Sequence, residues 1–419
     1  MILNALRGFF LLVIVSASTS AVQAGQTTQI DRLYGQIEQR LSYMKDVAAW
    51  KWQNKKPIED MDREAIVLAN TQKAAEAYGL DGPSTRAFFM AQIAAAKFIQ
   101  KTHFDRWQTN GYDGGSPPDL QNKLRPAISQ SGDNILALIS LALPQISAAK
   151  DGDLIADLSL PKNFRVDMAA GLKQIYLNEK ASTGRYAEIL YRGALRVGTT
   201  GDYAPFSTGG IGNRSGIDID LALSLADYLD VRLVFVQTSW PTLLEDLPNY
   251  DIGMSGISIQ PFRQKVGYMS APYHIGGKTP IIRCADQSKF ASMADIDRAG
   301  VRIIVNPGGT NERYARANIT QASLVIFSDN TEIFNEIVDG RADVMITDAI
   351  EVAYQAARNP NLCPALPDKT LTVAEKGFLM PKDDLLLRHV NRWLAWLKDE
   401  GSLSAIFDAH LRVPGQSAP

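Results

Sequence analysis

Two groups of residues in this chain have types and spacings suited to gripping small anions and moving protons. In the N-terminal half, Arg40 and Lys51 are eleven residues apart, close to three helical turns, so on a helix they share a face. Asp60 and Arg63 are three apart, and Gln92, Ala96 and Gln100 form an i, i+4, i+8 line. Such residues read either as surface ion pairs with a snorkelling lysine or as a helical pocket for a small polyanion, with cations and amide donors converging on it. In the C-terminal half, Arg263 in GISIQPFR offers a planar fork that suits a carboxylate far better than a lysine would. NPGGT at 306–310 follows the apolar run VRIIV and would present backbone N–H groups and Thr310 to an anion at a helix start. Asp348 follows the strand-like ADVMIT, with Glu351 three residues later. A carboxyl at 351 is either a helix N-terminal charge favoured by the dipole or, with its pKa raised, a proton donor.

The elements that must carry these residues differ between the halves. From 26 to about 183 the pattern is helical: Ile30, Leu33, Ile37, Leu41, Met44, Val47 and Ala48 recur at three- and four-residue spacing. Pro57 interrupts, 62–78 resumes, Asp81-Gly82-Pro83 turns, and a long helix runs from Ser84 to about Trp107. Further helices are expected near 124–139 and 166–179. After Arg196 short apolar strands alternate with helices: strands at 196–200, 232–237, 251–254, 279–283, 301–305, 323–327, 343–347 and 375–380, and helices at 218–229, 240–246, 310–317, 331–339, 348–357, 383–398 and 402–411. Parallel βα order with one excursion and a return fits two α/β lobes with a polar cleft between them.

At 419 residues the chain should hold two or three folding units. Its 43 basic and 45 acidic residues, a net charge of −2, give no support for nucleic acid as a partner. Arg7, the apolar run 9–15 and the ending Val22-Gln23-Ala24 have the pattern of a signal peptide cleaved after Ala24, which places the mature protein in the periplasm. In an oxidising compartment the only two cysteines, Cys284 and Cys363, form a structural disulfide more readily than a metal site. The histidines at 103, 274, 389 and 410 show no zinc spacing.

Arg40, VAAWKW at 47–52, PIED at 57–60, Arg63-Glu64 and FFMAQIAAAKFIQ at 88–100 resemble the secreted, all-helical chorismate mutases of the AroQ gamma subclass, over about 27–180. The resemblance implies a Claisen rearrangement of chorismate to prephenate by positioning and charge stabilisation, without a covalent catalyst. It implies that Arg40 and Arg63 hold carboxylates, that Lys51 donates to a carboxylate and the ether oxygen, that Asp60 engages the ring hydroxyl or orients Arg63, and that Gln100 is the second ether-oxygen donor, with Gln92 beside it. A Gln donates at any pH, so mutase activity should change little between pH 6 and 8. Two positions depart from the pattern: Ala96 stands for a Thr, and Asn134 aligns with a late helical Arg. Arg125, a few residues earlier, is either structural or a contributor.

Over 184–412 the chain resembles the type II periplasmic solute-binding proteins. TTGDYAPFS (199–207), TSWPTLLEDL (238–247), GKTPIIRC (277–284), VNPGGTNERYARAN (305–318) and GRADVMITDAIE (340–351) resemble the periplasmic cyclohexadienyl dehydratases among them. This implies loss of water and carbon dioxide from prephenate to give phenylpyruvate, and the same chemistry on arogenate. Glu351 matches the general acid. Asn311 matches a residue that orients it or the substrate, and Arg263 fixes the side-chain carboxylate. Asp348 resembles the acid that pairs with an amino group in amino-acid receptors, and Thr199, Asp202, Trp240, Ser255, Lys278 and Thr310 are expected to line the site.

The expected organisation is a leader at 1–24, an all-helical mutase domain at 25–183, a two-lobed α/β domain at 184–412 and a tail at 413–419. Lobe 1 is expected at about 184–277 and 372–411, and lobe 2 at about 278–371. The resemblances imply no cofactor or metal, small-molecule substrates only, no membrane partner after leader cleavage, and a homodimer through the helical domain. The rival readings are an amino-acid-binding protein with a helical appendage, or a chain with one inactive half.

Overall fold

The computed structural model describes residues 28–412 apart from 151, 157 and 368. The expected leader and tail lie outside the described residues. The first helix, α1 (Gln29–Ser42), opens on a capping box in which Thr28 accepts from the Asp31 N–H and Asp31 accepts from the Thr28 N–H. Its Leu33, Ile37 and Leu41 are buried, as the four-residue spacing requires. There follow α2 (Met44–Gln53), α3 (Met61–Glu76), α4 (Arg86–Asn110), α5 (Arg125–Ala148) and α6 (Lys162–Leu172). The 25-residue α4 is the spine of this half, packing on α2, α3 and α6. Gly171 of α6 lies against the α4 backbone, where an added Cβ would meet the Phe88 nitrogen at 2.5 Å, so the crossing admits no side chain there.

The expected helix at 124–139 runs on to Ala148, because 135–146 is buried on nearly every face, against both its own bundle and the α/β half. The helix expected at 166–179 is instead 162–172, followed by turns.

Next come α7 (Arg185–Arg192) and β1 (Ala194–Thr199), then α8 (Ile217–Tyr228), β2 (Arg232–Gln237), β3 (Ile252–Gly253), α9 (Pro261–Val266), β4 (Tyr268–Met269) and β5 (His274–Gly276). The stretch 240–246 forms successive turns rather than the expected helix. There the Thr238 and Thr242 hydroxyls donate to Asp246 at 2.7 and 2.6 Å, local bonds that compete with helical ones. The second lobe contributes β6 (Lys278–Arg283), β7 (Arg302–Val305), α10 (Thr310–Asn318), β8 (Ser323–Ile326), β9 (Val344–Asp348), α11 (Ala349–Arg358) and β10 (Leu362–Pro364). The chain returns through β11 (Ala374–Lys376) and β12 (Leu379–Met380), two short strands in place of the single one expected, and ends in α12 (Asp384–Asp399) and α13 (Ser402–Leu411).

Each lobe holds a five-stranded sheet, in the orders β2-β1-β3-β12-β4 and β8-β7-β9-β6-β10. β1 pairs parallel with β2 and β3, while the returning β12 is antiparallel. A two-stranded ribbon of β5 and β11 carries the chain between lobes. Cys284 and Cys363 form a disulfide within the second lobe, bonding the end of β6 to β10. The helical half docks on the first lobe through α5. Leu141 joins that lobe's core, Ser140 lies within 3.4 Å of His389, and the Arg392 Nη2 donates to Asn134 at 2.6 Å.

Candidate functional sites

In the helical half a cavity of about 300 Å³ opens between α1, α2, α3, α4 and α5. Arg40, Lys51, Asp60, Arg63, Gln92, Ala96 and Gln100 all line it, so residues spread over sixty positions of sequence meet in one place. Asp60 caps α3 by accepting from the Arg63 N–H at 3.0 Å, which fixes where the Arg63 side chain leaves the helix. Arg40 donates to the Ile128 carbonyl at 2.7 Å and has its pKa lowered to about 10 by burial. Lys51 donates to the Ile58 carbonyl at 2.7 Å; burial lowers its pKa, with Asp60 opposing. Gln92 is buried, yet neither its amide nitrogen nor its oxygen has a partner among the described residues. A buried amide left this way is destabilising unless something enters to bond it. The amide of Gln100 donates to the Ala96 carbonyl at 3.2 Å, while its oxygen is unpartnered.

The late position of the site differs from expectation. Asn134 does not line the cavity: it turns the other way, donating to Gln36 at 3.1 Å and accepting from Arg392 at 2.6 Å. Arg125 lines the cavity instead, with Ser129, Gly132, Asp133 and Leu136 from the same helix. Asn134 is one residue, about 100° of helix, from Asp133, which is enough to carry it off the cavity face. Asn70, Glu64 and Asp133 are wall residues that sequence reasoning missed.

The second site lies between the lobes, which are closed upon one another. The free space there is about 20 Å³, enough for one water, with a second space of about 290 Å³ adjoining it. The loop at Gly308 meets the other lobe at Pro241, where a Cβ would stand 2.6 Å from the Pro241 nitrogen; with φ at +80° as well, the position demands glycine. Asn330 Nδ2 donates to the Asp202 carbonyl at 2.8 Å across the same gap. Tyr203, Trp240, Arg263, Thr310, Asn311 and Asp348 line the inner space.

Arg263 is 2% exposed, with Nη1 donating to the Ser258 carbonyl at 2.7 Å and Nε unpartnered. It has no carboxylate partner among the described residues, and burial lowers its pKa to about 10. Asp348 accepts from Lys278 at 3.3 Å, from Lys376 at 2.7 Å and from the Tyr203 hydroxyl. Burial pushes its pKa up, but the two lysines outweigh burial and hold it well below the carboxylate range. Glu351 is 1% exposed, and its pKa is raised to about 8, first by burial and then by the Asp348 charge. It ends a chain of hydrogen bonds. Lys278 donates to Asn311 Oδ1 at 2.5 Å, Asn311 Nδ2 donates to Thr347 at 3.0 Å, and the Thr347 hydroxyl donates to Glu351 at 2.5 Å.

Other expected wall residues sit further back. Thr199 and Ser255 belong to a hydroxyl cluster with Thr200 and Ser207 behind the wall, Ser255 lying 2.6 Å from Ser207. The Asp202 carboxylate accepts from Trp240 at 3.1 Å, aiming that ring inward. Lys278 and Thr310 bond each other at 3.2 Å and both face the larger space. Sequence reasoning missed Lys376, Tyr203 and Thr347. The signal for Lys376 was present: a lysine directly before the apolar run GFLM stands at the entry to a buried strand.

Residues 195–413 match the model for bacterial extracellular solute-binding proteins, family 3, and residues 25–101 match that for chorismate mutase type II. A cyclohexadienyl dehydratase of Pseudomonas aeruginosa is 45% identical over 251 residues, 58% of this chain and 93% of the relative. A secreted chorismate mutase of Yersinia pestis is 37% identical over 139 residues, 33% of this chain and 71% of the relative. Among solved structures, an ancestral amino acid-binding protein described as a precursor of cyclohexadienyl dehydratase aligns with a TM-score of 0.50 at 36% identity, covering 54% of this chain and 99% of that one.

Proposed function

The chain belongs to the family 3 bacterial extracellular solute-binding proteins, in their cyclohexadienyl dehydratase branch, with a chorismate mutase region ahead of that domain, and from this premise we propose a two-step enzyme acting on chorismate. The helical half, placed at 25–183, rearranges chorismate to prephenate. The α/β half, placed at 184–412, converts prephenate to phenylpyruvate. The protein works outside the cytoplasm; a periplasmic location reached through a leader cleaved after Ala24, and a dimer through the helical half, belong to the same proposal.

In the first reaction the ether C–O bond breaks as a new C–C bond forms to the ring, and negative charge gathers on the ether oxygen. Arg40, Arg63 and Arg125 are the cations available to the two carboxylates, and Lys51 and Gln100 to the ether oxygen. Gln92, with no partner of its own, is free to bond the bound molecule. In the second reaction the Glu351 proton passes to the ring hydroxyl, whose C–O bond breaks to release water. The bond from ring to carboxylate breaks, its electron pair completes the aromatic ring, and carbon dioxide leaves. Glu351 regains its proton from solvent. Arg263 holds the side-chain carboxylate, and Lys278 with Asn311 sets Glu351 through Thr347.

The observation that carries this reading over a transport receptor is Glu351. A receptor has no use for a buried carboxyl kept protonated near neutral pH beside a cleft. The test is to incubate purified protein with chorismate alone and follow prephenate and phenylpyruvate together. Wild type should form phenylpyruvate, and Glu351→Gln should accumulate prephenate. Chorismate and prephenate both left untouched by wild type would return the chain to the receptor reading.

A further inference from the structure

The inner space between the lobes holds about one water, far too little for prephenate, while the larger space beside it has room for a molecule of that size. Ser258 and Thr310 line both, and so form the passage from one to the other. The wall of the larger space includes Arg313, which is exposed, and Val373, which is 82% exposed, so this space reaches solvent. Among the described residues that line it there are two cations, Lys278 and Arg313, and no carboxylate.

The two cations differ in how they are engaged. Lys278 is held inward by Asp348, Asn311 and Thr310. Arg313, on α10 of the second lobe, lies 4.2 Å from the ring centre of Phe262, on α9 of the first lobe, and forms no ion pair among the described residues. The adjacent Glu312 accepts from the Gly308 N–H at 2.7 Å and from Arg316 at 2.8 Å, and the Arg313 charge acts on it less than Arg316 does. Phe262 also meets the guanidinium of Arg263, 5.2 Å from its ring centre. One ring thus joins an arginine lining the outer space to the arginine lining the inner one. The pair are near enough to repel, since Arg313 is the largest influence after burial lowering the Arg263 pKa.

We infer that Arg313 is the capture residue of the dehydratase site: it draws the substrate dianion from solvent into the larger space and passes it over Phe262 to Arg263, taking no part in proton transfer or bond breaking. This rests on the dehydratase reading and deepens it. An uncommitted cation in a recess with low-dielectric walls raises the local concentration of an anion and speeds its association, an effect that salt screens. Stacking on Phe262 orients the planar guanidinium while leaving its N–H groups free to meet a carboxylate. Arg263 is too deeply buried to act at this range.

The test measures dehydratase kcat and kcat/KM on prephenate at low and high salt in wild type, Arg313→Gln, Arg313→Lys and Arg298→Gln. Arg298 is exposed and precedes β7, whereas the cleft loop follows it, so the last variant removes an equal charge at the opposite end of the strand. At low salt Arg313→Gln should lose about fivefold or more in kcat/KM with kcat within about twofold of wild type, and the gap should close in roughly 0.5 M salt. A retained kcat also shows that the variant is folded. Arg313→Lys should keep most of the wild-type kcat/KM, and Arg298→Gln nearly all of it. Equal falls in kcat and kcat/KM, a loss that salt does not narrow, or the same loss in Arg298→Gln overturns the inference. If wild type does not turn over prephenate, the dehydratase reading falls, and calorimetry with phenylpyruvate at low salt judges Arg313 separately. Weaker binding to Arg313→Gln than to wild type supports the inference, and equal binding, or none to either, overturns it.

Discussion

Glu351→Gln should make the protein slower and more stable at once, and the stability gain should depend on pH. The Glu351 pKa is raised from 4.5 to about 8 in the folded protein. At pH 7 the folded carboxyl is therefore mostly protonated, while in the unfolded chain it is ionised. A raised pKa favours folding fully only below 4.5, and that contribution is lost progressively as pH climbs toward 8. At pH 7 the loss is about 3 kcal/mol, and at pH 5 it is under about 1 kcal/mol. A neutral amide escapes it, and its oxygen can still accept from Thr347. The variant should gain about 3 kcal/mol at pH 7, or roughly 6–12 °C in the midpoint of the α/β half, and little at pH 5. With prephenate supplied, its dehydratase rate should fall about 10²- to 10⁴-fold, as expected when a general acid is removed. Wild-type dehydratase activity should itself decline as pH rises through about 8, where Glu351 loses its proton. Equal stabilisation at pH 5 and 7, or a variant within about tenfold of wild-type rate, would refute the assignment of a protonated Glu351.

In the helical half, mutase activity should stay flat from pH 6 to 8, and Gln100→Glu should introduce a loss with rising pH as the new acid ionises, read from chorismate consumption. Arg125→Ala should lower mutase kcat/KM by about 10- to 100-fold, as loss of a charge-assisted bond does, while Asn134→Ala stays within about twofold; the reverse order would restore Asn134 to the site. Replacing both cysteines by serine should destabilise the second lobe by about 4 kcal/mol, since the bond spans 79 residues, and leave chorismate consumption unchanged.

The helical cavity was legible because its residues sit on helices, whose fixed period turns sequence spacing into a shared face. Arg40, Lys51, Arg63 and Gln100 all reach the cavity, but from four successive helices, α1 to α4, with a break at Tyr43 between Arg40 and Lys51, so the period sets only the side each helix presents. Asn134 shows where it stops: a single-residue offset on α5 exchanges the cavity face for the domain contact. In the α/β half the strands and helices were legible from their apolar runs, but the wall of the cleft was not. Thr199 and Ser255 lie one layer too deep, and Lys376 enters from a three-residue strand of the returning ribbon. Such positions are set by how two lobes meet, which no local period encodes. The turns at 240–246 were hidden for a related reason, since an amphipathic pattern there is overruled by hydroxyls bonding Asp246.

The docking of α5 has a consequence for the history of the chain. Leu141 lies in the core of the first lobe, and His389 is sandwiched between lobe and bundle, stacked on Tyr186 at 4.5 Å and beside Ser140. One ancestral unit thus supplies interior atoms to the other. Splitting the gene at the junction would leave each product with a raw apolar face, and the α/β product with His389 uncovered on its Ser140 side, so the fusion works as a ratchet. Once that interior became shared, either activity could be lost by point mutation, but neither domain could be discarded without disturbing the survivor.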